Sequence, residues 1–257
     1  MTDERALPDF LIVGAQKSGT TSLFAYLAGH PRILPARRKE VHFFDLAWSR
    51  GIEWYRSFFP LISDLAPDLL TGEATPYLLF HPLCPGRVRS VVPDARLIVV
   101  LRDPTARALS HYRHERRLGH ENQPLNVALQ LERERLADRD DWFAHQHFSY
   151  VARGEYVIQL RRWFESFPRE QFVILPAEEM FSDPAGATNR VLAHLGLGPT
   201  ERDSWPVFLP DGSRAGTPPG PAPDDRVDAA VEARLRAYFR PFNDELAALL
   251  GRELPWD

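Results

Sequence analysis

Phe10-Leu-Ile-Val-Gly14-Ala-Gln-Lys17-Ser18-Gly19-Thr20-Thr21-Ser22 runs on into Leu23-Phe24-Ala25-Tyr26-Leu27, and this stretch decides how the rest of the chain is read. The short apolar run predicts a buried strand, the glycines a loop, and the residues from Thr20 onward a helix. A helix starting there has backbone N–H groups without intrahelical partners, and those donors and the helix dipole both favour an anion. The interval from Gly14 to Gly19 fits the frame of a phosphate-binding loop, G-x-x-x-x-G-K-[ST]. Thr20 stands where that loop carries its lysine, and the lysine stands at position 17 instead. The displacement weighs against a magnesium-dependent NTPase. The plain alternative is a tight strand-to-helix turn with Ser and Thr as caps.

Two further runs, Leu97 to Leu101 and Phe172 to Leu175, are also rich in Val, Ile or Leu and too short for helices, as buried parallel strands are. Tyr156, Leu160, Trp163, Phe164 and Phe167 follow one helical face after Gly154. Val227 to Leu250 is helical in period, and Pro241 inside it predicts a kink or a split into two helices. Strands alternating with helices give an α/β fold: a central parallel sheet flanked by helices, P-loop-like, in a single domain over residues 1–257. The stretch 206–223 is dense in Pro, Gly and Asp, lacks any period, and reads as a long flexible loop of the kind that serves as a lid.

The second chemical element follows the strand at Leu97–Leu101. Arg102 falls beyond its carboxyl end, where doubly wound sheets bind ligands, and its planar fork suits a phosphate. Ser110 adds a hydroxyl about two turns into the next helix. Asp103 could hold magnesium in the manner of a Walker-B aspartate, but with Pro104 after it a helix cap is the better reading.

Bulk properties narrow the classes. With 44% hydrophobic and 26% charged residues, the 257-residue chain has the composition of a soluble globular protein. A net charge of −4 gives no support to a broad nucleic-acid surface, although Arg37-Arg38-Lys39 and Arg113 to Arg117 could serve a small anion. Cys84 is the only cysteine, which suits a reducing compartment. MTDERALPDF places charges where a signal peptide would be apolar, and no run reaches the length of a membrane span, so a cytoplasmic location is expected. Oligomeric state is not legible.

The glycine loop and the Arg102–Ser110 element together resemble the sulfotransferases that use 3'-phosphoadenylyl sulfate (PAPS). Lys39-Glu40-Val41-His42-Phe43-Phe44-Asp45 is similar to a signature of their heparan sulfate branch, and Gly51-Ile-Glu-Trp54-Tyr55, Phe58-Phe59-Pro60 and Gly72-Glu73-Ala74-Thr75-Pro76-Tyr77 extend the likeness. The resemblance covers most of residues 9 to 200 in order. It implies PAPS as sulfuryl donor, PAP as product and no metal requirement. It implies Lys17 at the leaving phosphate, Ser18, Gly19, Thr20 and Thr21 around the 5' end, Arg102 and Ser110 on the 3'-phosphate, and Glu40 as general base. Three features depart from the branch. Ala74 replaces a lysine, Cys84 has no partner, and Gly212-Ser213-Arg214-Ala215-Gly216 only approximates the late loop that closes over the nucleotide, leaving Arg214 as its candidate ligand. A small-molecule or glycolipid acceptor therefore fits at least as well as a saccharide.

Sulfuryl transfer needs a base for the nucleophile, positive partners for the sulfuryl oxygens and charge stabilisation at the leaving phosphate. Lys17 serves the last two. Glu40 and His42 are two apart, so an extended segment would project both from one face, as a base and its orienting neighbour. Which of the two is the base stays open. A surface ion pair of Glu40 with Arg37, Arg38 or Lys39 is the non-catalytic alternative. Phe43 and Phe44 read as core. Leu131 to Arg135 reads as a solvated helix face with local ion pairs. His111, His114 and His120, or His145 and His147, suggest metal ligands, but no cysteine or carboxylate spacing completes a site, so no metal is assigned. The competing functions are a P-loop nucleotide kinase and a nucleotide-binding module without turnover.

Overall fold

The computed structural model describes residues 4–202, 204–208 and 228–256. In chain order its elements are β1 (Phe10–Gly14), α1 (Thr20–Ala28), α2 (Ile52–Arg56), β2 (Gly72–Ala74), α3 (Cys84–Val91), β3 (Arg96–Leu101), α4 (Pro104–Leu118), α5 (Leu125–Arg135), α6 (Trp142–His147), α7 (Tyr156–Ser166), β4 (Phe172–Pro176), α8 (Ala177–Ser182), α9 (Pro184–His194) and α10 (Ala229–Leu250). The described residues form two compact units: a sheet unit up to Leu101 and again from Arg161 to 208, and a helical unit of Arg102–Leu160 with 228–256. No described helix is long and apolar enough to cross a membrane.

The sheet unit holds four parallel strands in the order β2-β1-β3-β4. The three strands expected from apolar runs are β1, β3 and β4. β2 was not legible: Gly72-Glu73-Ala74 has no apolar run, and it is a strand because it pairs with β1. The chain passes from β1 to β2 on one side and returns to β3 on the other, so the topological switch lies at the carboxyl ends of β1 and β3. That is where such sheets bind ligands. Phe10, Ile12, Leu23, Leu27, Ile98 and Val191 belong to the apolar core that fixes α1 and α9 against the sheet. Ala74 joins the same core, so the site of the branch's lysine is occupied here by packing. The outer edge of β2 is covered by the segment after α1: Leu34, Ala36 and Glu40 donate their N–H groups to the carbonyls of Leu70, Gly72 and Ala74. An exposed edge is thereby closed.

In the helical unit, Leu109 of α4 packs with Val231, Leu235 and Phe239 of α10. Asp103 caps α4 as expected, its Oδ1 accepting from Ala106 N–H at 2.6 Å, with Pro104 opening the helix. α10 runs unbroken from Ala229 to Leu250 through Pro241, so it is not split into two helices. A proline forfeits its own N–H bond, and a 22-residue helix with Val231, Leu235, Phe239 and Leu246 buried has enough packing to absorb that loss. The segment read as a solvated face departs from expectation too. Glu132 is buried and accepts from the N–H groups of Val151 and Ala152 at 2.8 Å, and Arg135 pairs with Glu121 rather than with a neighbour on its own helix. Burial pushes the Glu132 carboxyl up to about 7, against those two bonds.

Candidate active site

At the end of β1 the chain turns sharply into α1. Gly19 is the helix N-cap at φ +90°, and no side chain caps there. A Cβ at Gly19 would lie 2.6 Å from both Met180 Cε and the Phe181 ring, so conformation and space both call for glycine. The first-turn N–H groups of α1 are thus left to a ligand or solvent. Ser18 and Thr20 are buried, and Ser18 Oγ is a buried hydroxyl without a hydrogen-bond partner. Native structures seldom leave such a group unsatisfied. An uncapped helix start, an orphaned hydroxyl and Lys17 beside them are what an anionic phosphate group would complete. Thr21 is half-buried in the first turn of α1.

Glu40 reaches this end of the sheet through its backbone. Its N–H bonds the Ala74 carbonyl at 2.9 Å, and Ala74 pairs with Ile12 of β1, two residues before Gly14. The segment is not extended, however. Glu40 has φ +58° and His42 φ +59°, so the two side chains meet through left-handed turns and not by strand alternation. The extended reading failed because Phe43 and Phe44 bury themselves instead. Phe43 stacks on Tyr55 with ring centroids 4.5 Å apart, Phe44 meets the same ring edge-on at 5.0 Å, and the backbone between must twist to deliver both. Arg87 holds the far end of the turn, donating Nη1 to the carbonyls of Phe44 at 2.7 Å and Asp45 at 3.1 Å.

Four charges then line up. Lys39 Nζ contacts Glu40 Oε1, Glu40 Oε2 lies 3.6 Å from His42 Nε2, and His42 Nδ1 lies 2.7 Å from Asp45 Oδ2. Burial alone would raise the Glu40 carboxyl, but the His42 imidazolium and the Lys39 ammonium outweigh it and bring it down to about 2. Burial alone would lower His42, but hydrogen bonds to Asp45 and then Glu40 push it up to about 9. At neutral pH His42 therefore carries both protons and Glu40 is a carboxylate. The ion pair with Lys39 anticipated as the non-catalytic reading exists, and it is one link of this longer array.

Asp45 stood in the quoted signature without a role; its i+3 spacing from His42 was the signal that could have assigned one. A second buried carboxylate was missed as well. Glu73 Oε1 accepts from Tyr55 Oη at 2.8 Å and Oε2 from Thr75 Oγ1 at 2.6 Å, with Val41 N–H at 3.4 Å. Burial raises its carboxyl against the bonds from Thr75 and Tyr55. Val41 sits between Glu40 and His42, so Glu73 braces the turn from beneath.

His42 yields a stability prediction. Its pKa is near 6.5 when unfolded and about 9 when folded, so its contribution is full below about pH 6.5 and is lost as pH climbs through the folded value. Glu40 behaves oppositely, contributing fully above about pH 4.5 and losing it as pH falls toward about 2. Chemical denaturation of wild type and His42→Gln across this range checks it. The stability gap between them shrinks from pH 6.5 to 9 if the array is as described; a gap that stays constant contradicts it.

In the helical unit, Arg102 follows β3 directly in the chain and is half-buried; its carbonyl accepts from Tyr156 Oη at 3.0 Å. Ser110 is half-buried on α4. Arg214 and residues 209–223 of the expected loop lie outside the described residues.

A profile of the sulfotransferase domain matches residues 7–205 of the chain. Heparan sulfate glucosamine 3-O-sulfotransferase 6 of Mus musculus is 34% identical over 274 residues, covering 98% of this chain and 75% of the relative. The bifunctional heparan sulfate N-deacetylase/N-sulfotransferase 4 of Mus musculus is 32% identical over 270 residues, covering 96% of this chain and 30% of that longer protein. Among solved structures, a sulfotransferase from Alicyclobacillus acidocaldarius superposes with a TM-score of 0.76 at 30% identity, over 97% of this chain and 98% of that one.

Proposed function

The chain belongs to the PAPS-dependent sulfotransferase family, and from that membership we propose that it transfers the sulfuryl group to a hydroxyl or amine of a saccharide acceptor, with Glu40 as general base. One observation carries the reading. Among the described residues, the non-glycine positions with positive φ are Lys17 at +69°, Glu40 and His42. They are the same three that the sequence marks for catalysis. Left-handed backbone at such residues costs about 1–3 kcal/mol each and persists where surrounding structure enforces it, typically at functional sites.

PAPS supplies an activated sulfuryl group and leaves as PAP. The Lys17 ammonium neutralises charge gathering on the departing phosphate, and the N–H groups of Gly19 to Thr21 with Ser18 Oγ hold the 5' end. Arg102 and Ser110 keep the 3'-phosphate, an assignment supported by their place in the family pattern. Glu40 takes the acceptor proton. A carboxylate near pKa 2 is a weak base, but an acceptor oxygen becomes strongly acidic as it bonds to sulfur, so a weak base in position suffices. His42, doubly protonated, is unsuited to that task; it orients Glu40 from its anchor on Asp45.

The intact four-charge array argues against a module that has lost turnover. The relatives' names give heparan sulfate as their acceptor, one sulfating oxygen and another nitrogen. Similarity along nearly the whole chain supports a saccharide here, over the small-molecule or glycolipid alternatives. Incubation with sulfur-labelled PAPS and heparan-type oligosaccharides tests it. Label in the saccharide, incorporated about 10²–10⁴-fold more slowly by Glu40→Gln, is the expected result; label appearing only in small molecules or lipids overturns the acceptor class. Arg102→Ala is expected to raise KM for PAPS about 10–150-fold, the cost of a charge-assisted pair worth about 1.5–3 kcal/mol, with kcat less affected. An unchanged KM removes Arg102 from the donor site.

A further inference from the structure

The histidines set aside in the sequence do find a carboxylate, on the helical unit. Glu115 lies in the last turn of α4, buried, and a donor atom from each of Glu115, His120 and His147 lies within 4.8 Å of the other two. We propose that these three side chains, none of which is assigned to sulfuryl transfer, form a binding site for a divalent transition-metal ion of the zinc type that is structural in effect.

The backbone builds the convergence. α4 ends at Gly119, whose φ of +79° reverses the chain so that His120 N–H returns to the Glu115 carbonyl at 3.0 Å. That brings His120 Nδ1 to 2.8 Å from Glu115 Oε2. His147, the last residue of α6, brings its own Nδ1 to 2.9 Å from the same oxygen. Two imidazoles thus aim at one carboxylate oxygen, with ring centroids only 4.2 Å apart. A single divalent ion satisfies both nitrogens and the oxygen at once.

Two imidazole nitrogens with one carboxylate oxygen are a known zinc donor set, at about 2.0–2.2 Å from the metal and with a fourth position left for water. Ligand atoms around such an ion stand a little over 3 Å apart, so opening the present contacts by a few tenths of an ångström admits it. The surroundings suit the role. The other carboxylate oxygen, Oε1, lies 3.2 Å from Nε2 of the fully buried His111, one turn back on α4. Phe143 lies against His147 at 4.4 Å and His120 at 5.6 Å, an apolar wall on one side. His120 is exposed, which gives the ion a way in. Bound there, it would tie the end of α4 to the end of α6, 32 residues away along the chain.

The test is calorimetric titration of the full chain with Zn²⁺, together with the visible absorption of the Co²⁺-loaded protein. One Zn²⁺ per chain, a Co²⁺ spectrum of low coordination number and a higher melting temperature with Zn²⁺ are expected. His120→Ala and His147→Ala should each weaken Zn²⁺ at least about 10²-fold, since even outer partners are worth 10–100-fold. The exposed His120 is the safer variant for folding, and circular dichroism verifies it. Wild type that takes up no stoichiometric Zn²⁺, or binding and spectrum unchanged in His120→Ala, overturns the proposal and leaves a hydrogen-bonded cluster.

Discussion

Glu40→Gln lowers turnover by about 10²–10⁴-fold, the range a positioned general base is worth, while PAP binds as it does to wild type. The substitution keeps the shape of the side chain and removes only its ability to take a proton and carry charge. It also breaks the links to Lys39 and His42, so a modest loss of stability accompanies it, separable from catalysis by measuring turnover well below the melting temperature. On the proposed reading Glu40 takes no part in holding the donor, so product affinity is the control that isolates the chemistry. Near-normal turnover in this variant would remove Glu40 from the role. His42 would then have to act as the base despite a pKa of about 9, and activity would rise steeply with pH.

Lys17→Ala is expected to lower kcat by about 10²–10³-fold, the usual cost of deleting one preorganised donor at a site of developing charge. Alanine retains the Cβ and therefore the same left-handed strain at φ +69°, so the loss reports the ammonium group and not a relaxed backbone. PAPS affinity should fall less than kcat, because the α1 N–H groups still hold the phosphate. Equal losses in binding and turnover would mean that Lys17 grips the ground state only. Lys17→Arg separates charge from placement: a fork cannot occupy a position suited to a compact ammonium, so recovery is expected to be partial.

How much of this was legible follows from what each residue depends on. β1 and β3 showed themselves because a strand buried on both faces must be continuously apolar, β4 through the same kind of apolar run although its first three residues are only half-buried, and Asp103-Pro104 announced a helix start through local chemistry alone. β2 was silent since its three residues owe their conformation to the neighbour they pair with. The meeting of Glu40 with His42 was anticipated for the wrong reason. Alternation was invoked, whereas left-handed turns enforced by the burial of Phe43 and Phe44 do the work. Left-handed backbone at non-glycine residues is a tertiary imposition with no local signal. Glu132 was read as part of a solvated face because charge predicts exposure on average, and its burial depends on the Val151–Ala152 backbone brought by a distant segment. The Glu115 cluster needed the same information, since His147 reaches it only through the fold.

Calorimetric titration of the chain with PAP in the absence of magnesium, run beside ATP with magnesium, tests the sulfotransferase assignment of the glycine loop most directly. Micromolar binding of PAP that needs no metal is the result expected from Lys17, Ser18 and the uncapped start of α1. Failure to bind PAP, with ATP taken up only when magnesium is present, would contradict it and return the loop to a nucleotide kinase.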